Sequence, residues 1–190
     1  LFTFLDIGPD NSWGEAISRA IPKIKEEYIF ITYDDCVLKK NFNCDILFDY
    51  AIEMSKKNWQ YIRFHPSPCG DIYKTRELSR LSLNSRYRGS LAFPLIKKEV
   101  LKNIAVPGVS IWEFENSSKF RHKKYKNFFV HKKIRFNYIN LVIKGKIDLI
   151  KCIYSNLSGY KIPKNQIKKM SILESLKYYS HLLLFRISMS

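Results

Sequence analysis

Two adjacent aspartates, Asp34 and Asp35, stand at the end of a run of strand-forming residues, Tyr28, Ile29, Phe30, Ile31, Thr32 and Tyr33. Neighbouring carboxylates repel each other unless a positive charge sits between them. A hard divalent cation, Mn²⁺ or Mg²⁺, meets that need and usually carries a phosphate ligand as well. The apolar run itself reads as a strand buried on both faces of a parallel sheet. In open α/β sheets, ligands gather just outside the carboxyl ends of such strands. Aspartate pairs are also ordinary turn residues, so the local pattern alone admits a surface turn.

A second pair of acids, Glu113 and Glu115, lies in the segment Ser-Ile-Trp-Glu-Phe-Glu that begins at Ser110. Ser110 and Glu113 have the spacing of a capping box, which places Glu113 three residues into a helix. Residues two apart on a helix face different ways, so only one of the two can enter a given pocket. Glu115 is free of the capping duty. Either carboxylate is a candidate general base for removing a hydroxyl proton. Trp112, just before them, suits a helix-start anchor in the core or a platform for a sugar ring. Arg121, His122, Lys123 and Lys124 follow within two turns. They could hold a diphosphate, or simply form a solvated basic turn. His65 follows a strand pattern and suits the rim of a site. The chain has no nucleophile-elbow pattern and no glycine-rich phosphate loop.

The elements that must position these residues alternate in type. Leu1 to Ile7 reads as a strand and turn. Ser12 and Glu15 predict a capped helix carrying Trp13, Ile17, Ala20, Ile21 and Ile24, which Pro22 limits or kinks. The strand into Asp34 gives β-α-β order and hence a parallel sheet. Asn43 caps a helix with Ile46, Leu47, Tyr50, Ala51 and Met54 inward. Gln60 to His65 reads as a strand, residues 72–87 as a loop, and Gly89 to Phe93 as another strand. Pro94 fits the first turn of a helix reaching about Lys102. Ile134 to Ile143 has strand character, and Lys144 to Leu157 helical spacing. Ser171 and Glu174 cap a last helix with Ile172, Leu173 and Leu176 on its apolar side.

In this order, the segments from Asp10 to Ile29, Tyr28 to Leu38, Ser110 to Glu115 and Ile139 to Lys146 resemble bacterial A-type (GT-A) glycosyltransferases of surface polysaccharide synthesis. In that family a Trp-led helix precedes a strand ending in an Asp pair. A Trp-Glu-Phe-Glu-like element follows, and then an Asn-x-x-x-x-Gly-Lys-like segment. The resemblance covers roughly residues 10 to 150. It implies an α/β fold with a mixed, mainly parallel sheet flanked by helices. A partial nucleotide-diphospho-sugar transferase domain would occupy residues 1–143, with a basic helical extension at 144–190. It further implies that Asp34 and Asp35 bind the metal and the nucleotide sugar, that Glu113 or Glu115 is the base, and that Arg121 meets the diphosphate. The family's Asp motif has one residue between its acids, whereas here they adjoin. Only 33 residues precede Asp34, where the family places several β-α units.

Charge narrows the partners. Residues 1–118 hold 16 Lys or Arg against 15 acids, and residues 119–190 hold 17 against 2. Such asymmetry asks for an anionic partner at the C-terminal part. The resemblance implies a nucleotide-sugar donor, a glycan or lipid-linked acceptor, and peripheral contact with an anionic membrane, without nucleic acid. The rival is a non-catalytic basic module for nucleic acid or membrane, suggested by the aromatics interleaved with cations from Tyr125 to Ile139. Cys36, Cys44, Cys69 and Cys152 lack paired spacing and read as reduced, mostly buried thiols. No basic leader and no apolar run of roughly 20 residues is visible. The expected location is the cytoplasm, at the inner face of the cytoplasmic membrane.

Overall fold

The helix predicted after Ser12 is present as α1, Trp13–Ala20. In the computed structural model, residues 5–9, 11–33, 36–39, 42–66, 69–73, 75–85, 87–133, 136, 138–143, 146–157 and 168–175 are described. Ser12 Oγ accepts the Glu15 N–H at 3.1 Å, but the Glu15 carboxylate turns to the Asn11 N–H. The Asn11 N–H and the Arg19 guanidinium together hold the Glu15 carboxyl below its usual value, against slight desolvation. Pro22 does end the helix: the chain tightens into one 3-10 turn, Ile21–Lys23. Residues 5–9 are irregular, and most of the strand expected from Leu1 lies outside the described residues.

Contacts divide the chain into two units, Leu1–Thr32 with Phe42–Phe136, and Tyr33–Asn41 with Asn137–Ser190. The expected boundary after residue 143 falls inside the second. The first unit is α/β. Its strands are β1 (Tyr28–Phe30), β3 (Tyr61–Arg63), β4 (Ile72–Tyr73), β5 (Leu78–Arg80), β6 (Pro94–Lys97) and β7 (Phe128–His131). They form one sheet in the order β1-β6-β3-β7-β5-β4. The helices of this unit are α1, α2 (Asp45–Lys57), α3 (Lys98–Ile104) and α4 (Ile111–Glu115).

The sheet is mixed, as expected, but not mainly parallel. Only β3 and β7 pair in parallel; the other four pairings are antiparallel. These pairings make β1, β3, β7 and β4 run one way and β6 and β5 the other, so inverted strands are interleaved. Apolar runs reported burial on two faces, and a mixed sheet covered on both faces gives the same signal as a parallel one. The run at Tyr28 to Phe30 is the exception. It is the sheet's edge among the described residues and is half-buried throughout.

Register separates two cores. Phe30, Leu95, Ile62 and Phe129 form one row, and Ile29, Ile96, Tyr61 and Phe128 form the next, on the opposite face. On one face Trp59 meets Phe129, and Tyr50 of α2 meets Phe64, which also packs on Phe136. On the other, Tyr61 stacks on Phe128, Phe128 meets Phe120, Phe120 meets Phe114, and Phe114 meets Trp13 of α1. The second chain of rings ties α1 and α4 to the sheet and backs the site described below.

Gly89 to Phe93 is not a strand. Tyr87 and Phe93 both have positive φ, 49° and 55°, a turn conformation that interrupts pairing. Pro94, expected in a helix, instead opens β6, where a missing N–H is tolerated at a strand's first residue. The cysteines also depart from expectation. Cys152 is buried, but Cys44 and Cys69 are exposed, because they sit at the start of α2 and in a loop.

The second unit holds two short antiparallel ladders, β2 (Cys36–Leu38) with β8 (Tyr138–Asn140), and β9 (Val142–Ile143) with β10 (Lys146–Ile147). Its helix α5, Leu149–Leu157, is capped by buried Asp148, whose Oδ1 accepts the Ile150 N–H at 3.0 Å. Residues 172–175 are helical, and Ser171 and Glu174 form the reciprocal bonds of the predicted capping box. Among the described residues, no helix is long and apolar enough to cross a membrane.

Gly14 tests the packing of α1. Its N–H donates to Val109 O at 2.8 Å, and a Cβ there would stand 2.1 Å from Val106 O. Alanine favours a helix interior by about 1 kcal/mol, but a backbone clash outweighs that. Gly14→Ala should lower stability by roughly 1–3 kcal/mol, read as an earlier urea midpoint. An unchanged or later midpoint would show that the turn at 106–109 yields freely.

Candidate functional site

Helix α4 carries both acids and gives them different work. Ser110 Oγ accepts the Glu113 N–H at 3.2 Å, and the Glu113 carboxylate accepts the Ser110 N–H at 2.7 Å. The Ser110 N–H holds the Glu113 carboxyl below its usual value, which weakens it as a base. Glu113 is an exposed cap. Glu115, beyond the cap, is half-buried and turns toward the loop before β6. Its Oε1 accepts the Leu91 N–H at 2.5 Å.

That loop, residues 81–93, is pinned by two buried arginines. Arg63 in β3 is fully buried and donates to His65 O at 2.9 Å and Tyr87 O at 3.2 Å. Arg88 is 3% exposed and donates to Phe120 O at 3.1 Å, to Tyr125 O at 2.5 Å, and to the carbonyls of Leu81 and Ser82. Its guanidinium lies 4.8 Å from the Phe128 ring centre. Burial pulls the Arg88 pKa down to about 10, against the attraction of Asp71; the group stays cationic at neutral pH. Tyr61 bonds the Ser90 carbonyl from below. Burial raises its phenol, Arg63 opposes the rise, and the Glu115 charge adds to it.

Between loop and helix lies a cavity of about 300 Å³. Ser85, Tyr87 and Arg88 line it from the loop. Glu115, Asn116, Ser117, Phe120 and Arg121 line it from α4 and the following 3-10 turn, Ser118–Arg121. One acid, Glu115, and two basic residues, Arg88 and Arg121, thus line one polar pocket. Such a site can accept a proton from a hydroxyl and oppose a nearby negative charge.

The sequence candidates divide accordingly. Glu115 and Arg121 are brought together, and Glu113 is held away as a cap. Asp34 and Asp35 lie outside the described residues. Among the described residues, no group of three His, Cys, Asp or Glu could hold a metal ion. His65 is half-buried and does not line the cavity. His122 caps the turn Lys123–Tyr125 through Nδ1, which accepts the Lys124 N–H at 3.2 Å. Trp112 is not a core anchor; it is 69% exposed. Arg88, Tyr87 and Ser85 were missed in the sequence. Arg88 is set by carbonyls far along the chain, which no local pattern announces.

No known protein family, no curated protein and no solved structure matches the chain.

The loop wall also rests on Asp71. Its carboxylate accepts the Ser82 N–H at 2.6 Å, the Ser82 hydroxyl, and the Ser85 hydroxyl at 2.9 Å. Burial alone would raise this carboxyl, but the bonds from Ser82 and Ser85 outweigh it and hold it below 3.8. A depressed carboxylate contributes stability above its unfolded pKa and loses it as pH falls through the folded one. Asp71→Asn should therefore be less stable than wild type at pH 7. The gap should close on acidification from about pH 5 downward. Urea midpoints of both proteins across that range check this; a gap that stays constant into acid would remove Asp71 as the cause.

Proposed function

We propose that this chain transfers a sugar from a nucleotide sugar to a hydroxyl of a glycan or lipid-linked acceptor, as an A-type glycosyltransferase of surface polysaccharide synthesis with a partial GT-A fold. The carrying observation is that Glu115 and Arg121, six residues apart on α4 and the turn after it, line one cavity with Arg88 from the loop before β6. The element order supports the same reading. Helix α1 starts at Trp13 and α4 carries Trp112 to Glu115, while β1 ends at Phe30, four residues before Asp34.

In this reading Glu115 takes the acceptor's hydroxyl proton as the oxygen attacks the anomeric carbon. The bond from that carbon to the diphosphate breaks, and its electron pair leaves with the phosphate oxygen. Arg121 stands near that growing charge and Arg88 supports it from the pocket wall. The Leu91 N–H orients the Glu115 carboxylate through Oε1. Asp34 and Asp35 present the hard oxygen donors that Mn²⁺ or Mg²⁺ takes. A cation held by them would supply the positive charge that a diphosphate needs.

The rival, a non-catalytic basic module for nucleic acid or membrane, finds less support in its nucleic-acid form, where only half-buried Tyr138 keeps part of its ring open. Tyr125, Phe128, Phe129 and Phe136 are all buried, so their ring faces are not free for bases.

Glu115→Gln separates chemistry from structure, because the amide oxygen can still accept the Leu91 N–H. The variant should fold normally and bind nucleoside diphosphate in Mn²⁺ as wild type does. Its transfer rate should fall by roughly 10²-fold or more, the usual worth of a general base. Glu113→Gln should keep transfer and lose a little helix stability. Calorimetry with uridine and guanosine diphosphates, with and without Mn²⁺, and product analysis supply the readouts. Full turnover by Glu115→Gln would rule Glu115 out as the base.

A further inference from the structure

Six of the eight residues from Lys119 to Lys126 are exposed: Lys119, Arg121, His122, Lys123, Lys124 and Lys126. The other two, Phe120 and Tyr125, are buried. The fold enforces this split. The Phe120 ring packs on Phe114 at 5.2 Å and on Phe128 at 5.6 Å, and the Tyr125 ring lies 5.9 Å from Phe128. Arg88 then bonds both their carbonyls from inside. With the apolar rings held inward, the cations must point out. The sequence offers them no acid between Glu115 and Asp148. Just before this turn, on α4, stands Trp112, a large indole left open to solvent.

From these observations we propose that Trp112 and the basic turn Lys119 to Lys126 form a docking face for an anionic phospholipid surface. Exposed tryptophan partitions into the headgroup region, with its ring among the acyl ends and its N–H toward water. Cations beside it are drawn to the negative leaflet within a Debye length. Neither feature is supplied by a loose tail; both are fixed on the sheet-backed unit. Nucleic acid fits this face less well, because the turn's own rings are turned inward and leave bases nothing to stack on. Arg121 belongs to the turn and also lines the cavity beside Glu115. Docking would therefore bring the cavity's rim to the headgroups, where a phosphate-bearing lipid-linked acceptor resides. That consequence rests on the transfer reading; docking itself does not.

The full chain should co-sediment with vesicles of phosphatidylcholine and phosphatidylserine, and not with phosphatidylcholine alone. Binding should fall as salt rises. Trp59 is buried and Trp13 half-buried, so quenching by brominated lipid should report mainly Trp112 and largely vanish in Trp112→Phe. Replacing Lys123, Lys124 and Lys126 together by Gln should weaken partitioning roughly tenfold or more with an unchanged circular dichroism spectrum. Equal binding to neutral vesicles, no binding to either, or tighter binding to an oligonucleotide at matched salt would each overturn the proposal. Nucleoside diphosphate binding by the same preparation reads the transfer reading separately, so one can fail without the other.

Discussion

A guanidinium buried beneath a loop must find acceptors, and the placement of Arg88 organises everything around the cavity. Removing an isolated cation from water costs several kcal/mol unless good hydrogen bonds meet it. Here the acceptors are carbonyls of Leu81, Ser82, Phe120 and Tyr125. Two come from the segment after β5 and two from the turns after α4. One side chain therefore holds two walls of the cavity at a fixed separation. A planar fork can reach several carbonyls at once, which a lysine ammonium on a flexible stem cannot reproduce. Phe128 lies against the guanidinium and completes its enclosure on the sheet side.

Close approach follows from that clamp. A Cβ on Gly89 would stand 2.0 Å from the Phe120 ring, so the residue after Arg88 has room only for hydrogen. The loop also holds Tyr87 and Phe93 at positive φ, a conformation that costs on the order of 1 kcal/mol or more for such side chains. Arg63 bonding Tyr87 O, and the Phe64 N–H bonding Phe93 O at 3.1 Å, hold these backbones in place. Leu91 then presents its N–H to Glu115. The orientation of that carboxylate is thus tied to a strained loop that Arg63 and the Phe64 N–H hold in place.

What the sequence revealed is what short-range chemistry decides. Ser110 with Glu113, and Ser171 with Glu174, form their boxes because every partner lies within three residues. Ser12 with Glu15 does so by half, since the Asn11 N–H competes for the carboxylate and the Arg19 side chain holds its other oxygen. Strand direction was not legible, because Leu95 and Ile96 bury equally well in either sense. Gly89 to Phe93 misled for a different reason. Its apolar content is real, and Leu91 and Phe93 are buried, but backbone dihedrals and not burial stop the pairing there. Within the site, the spacing from Ser110 separated the capping acid, Glu113, from Glu115, which does not cap the helix. Arg88 stayed hidden because its partners stand up to 37 residues away.

Net charge needs the same resolution into particular residues. The formal +16 suggests one broad basic surface, yet several of its cations have internal acceptors. Lys132 Nζ donates to Thr75 O at 2.6 Å, and Lys151 lies 3.7 Å from buried Asp148. Lys146 pairs with Glu174 and holds that carboxyl down at about 2. Such groups are already engaged within the fold and offer little to a partner. The cations from Lys119 to Lys126 differ because their own neighbours, Phe120 and Tyr125, take the inward positions and leave them facing solvent. A field strong enough to orient a partner arises where packing forces like charges outward together, and among the described residues that happens beside the cavity.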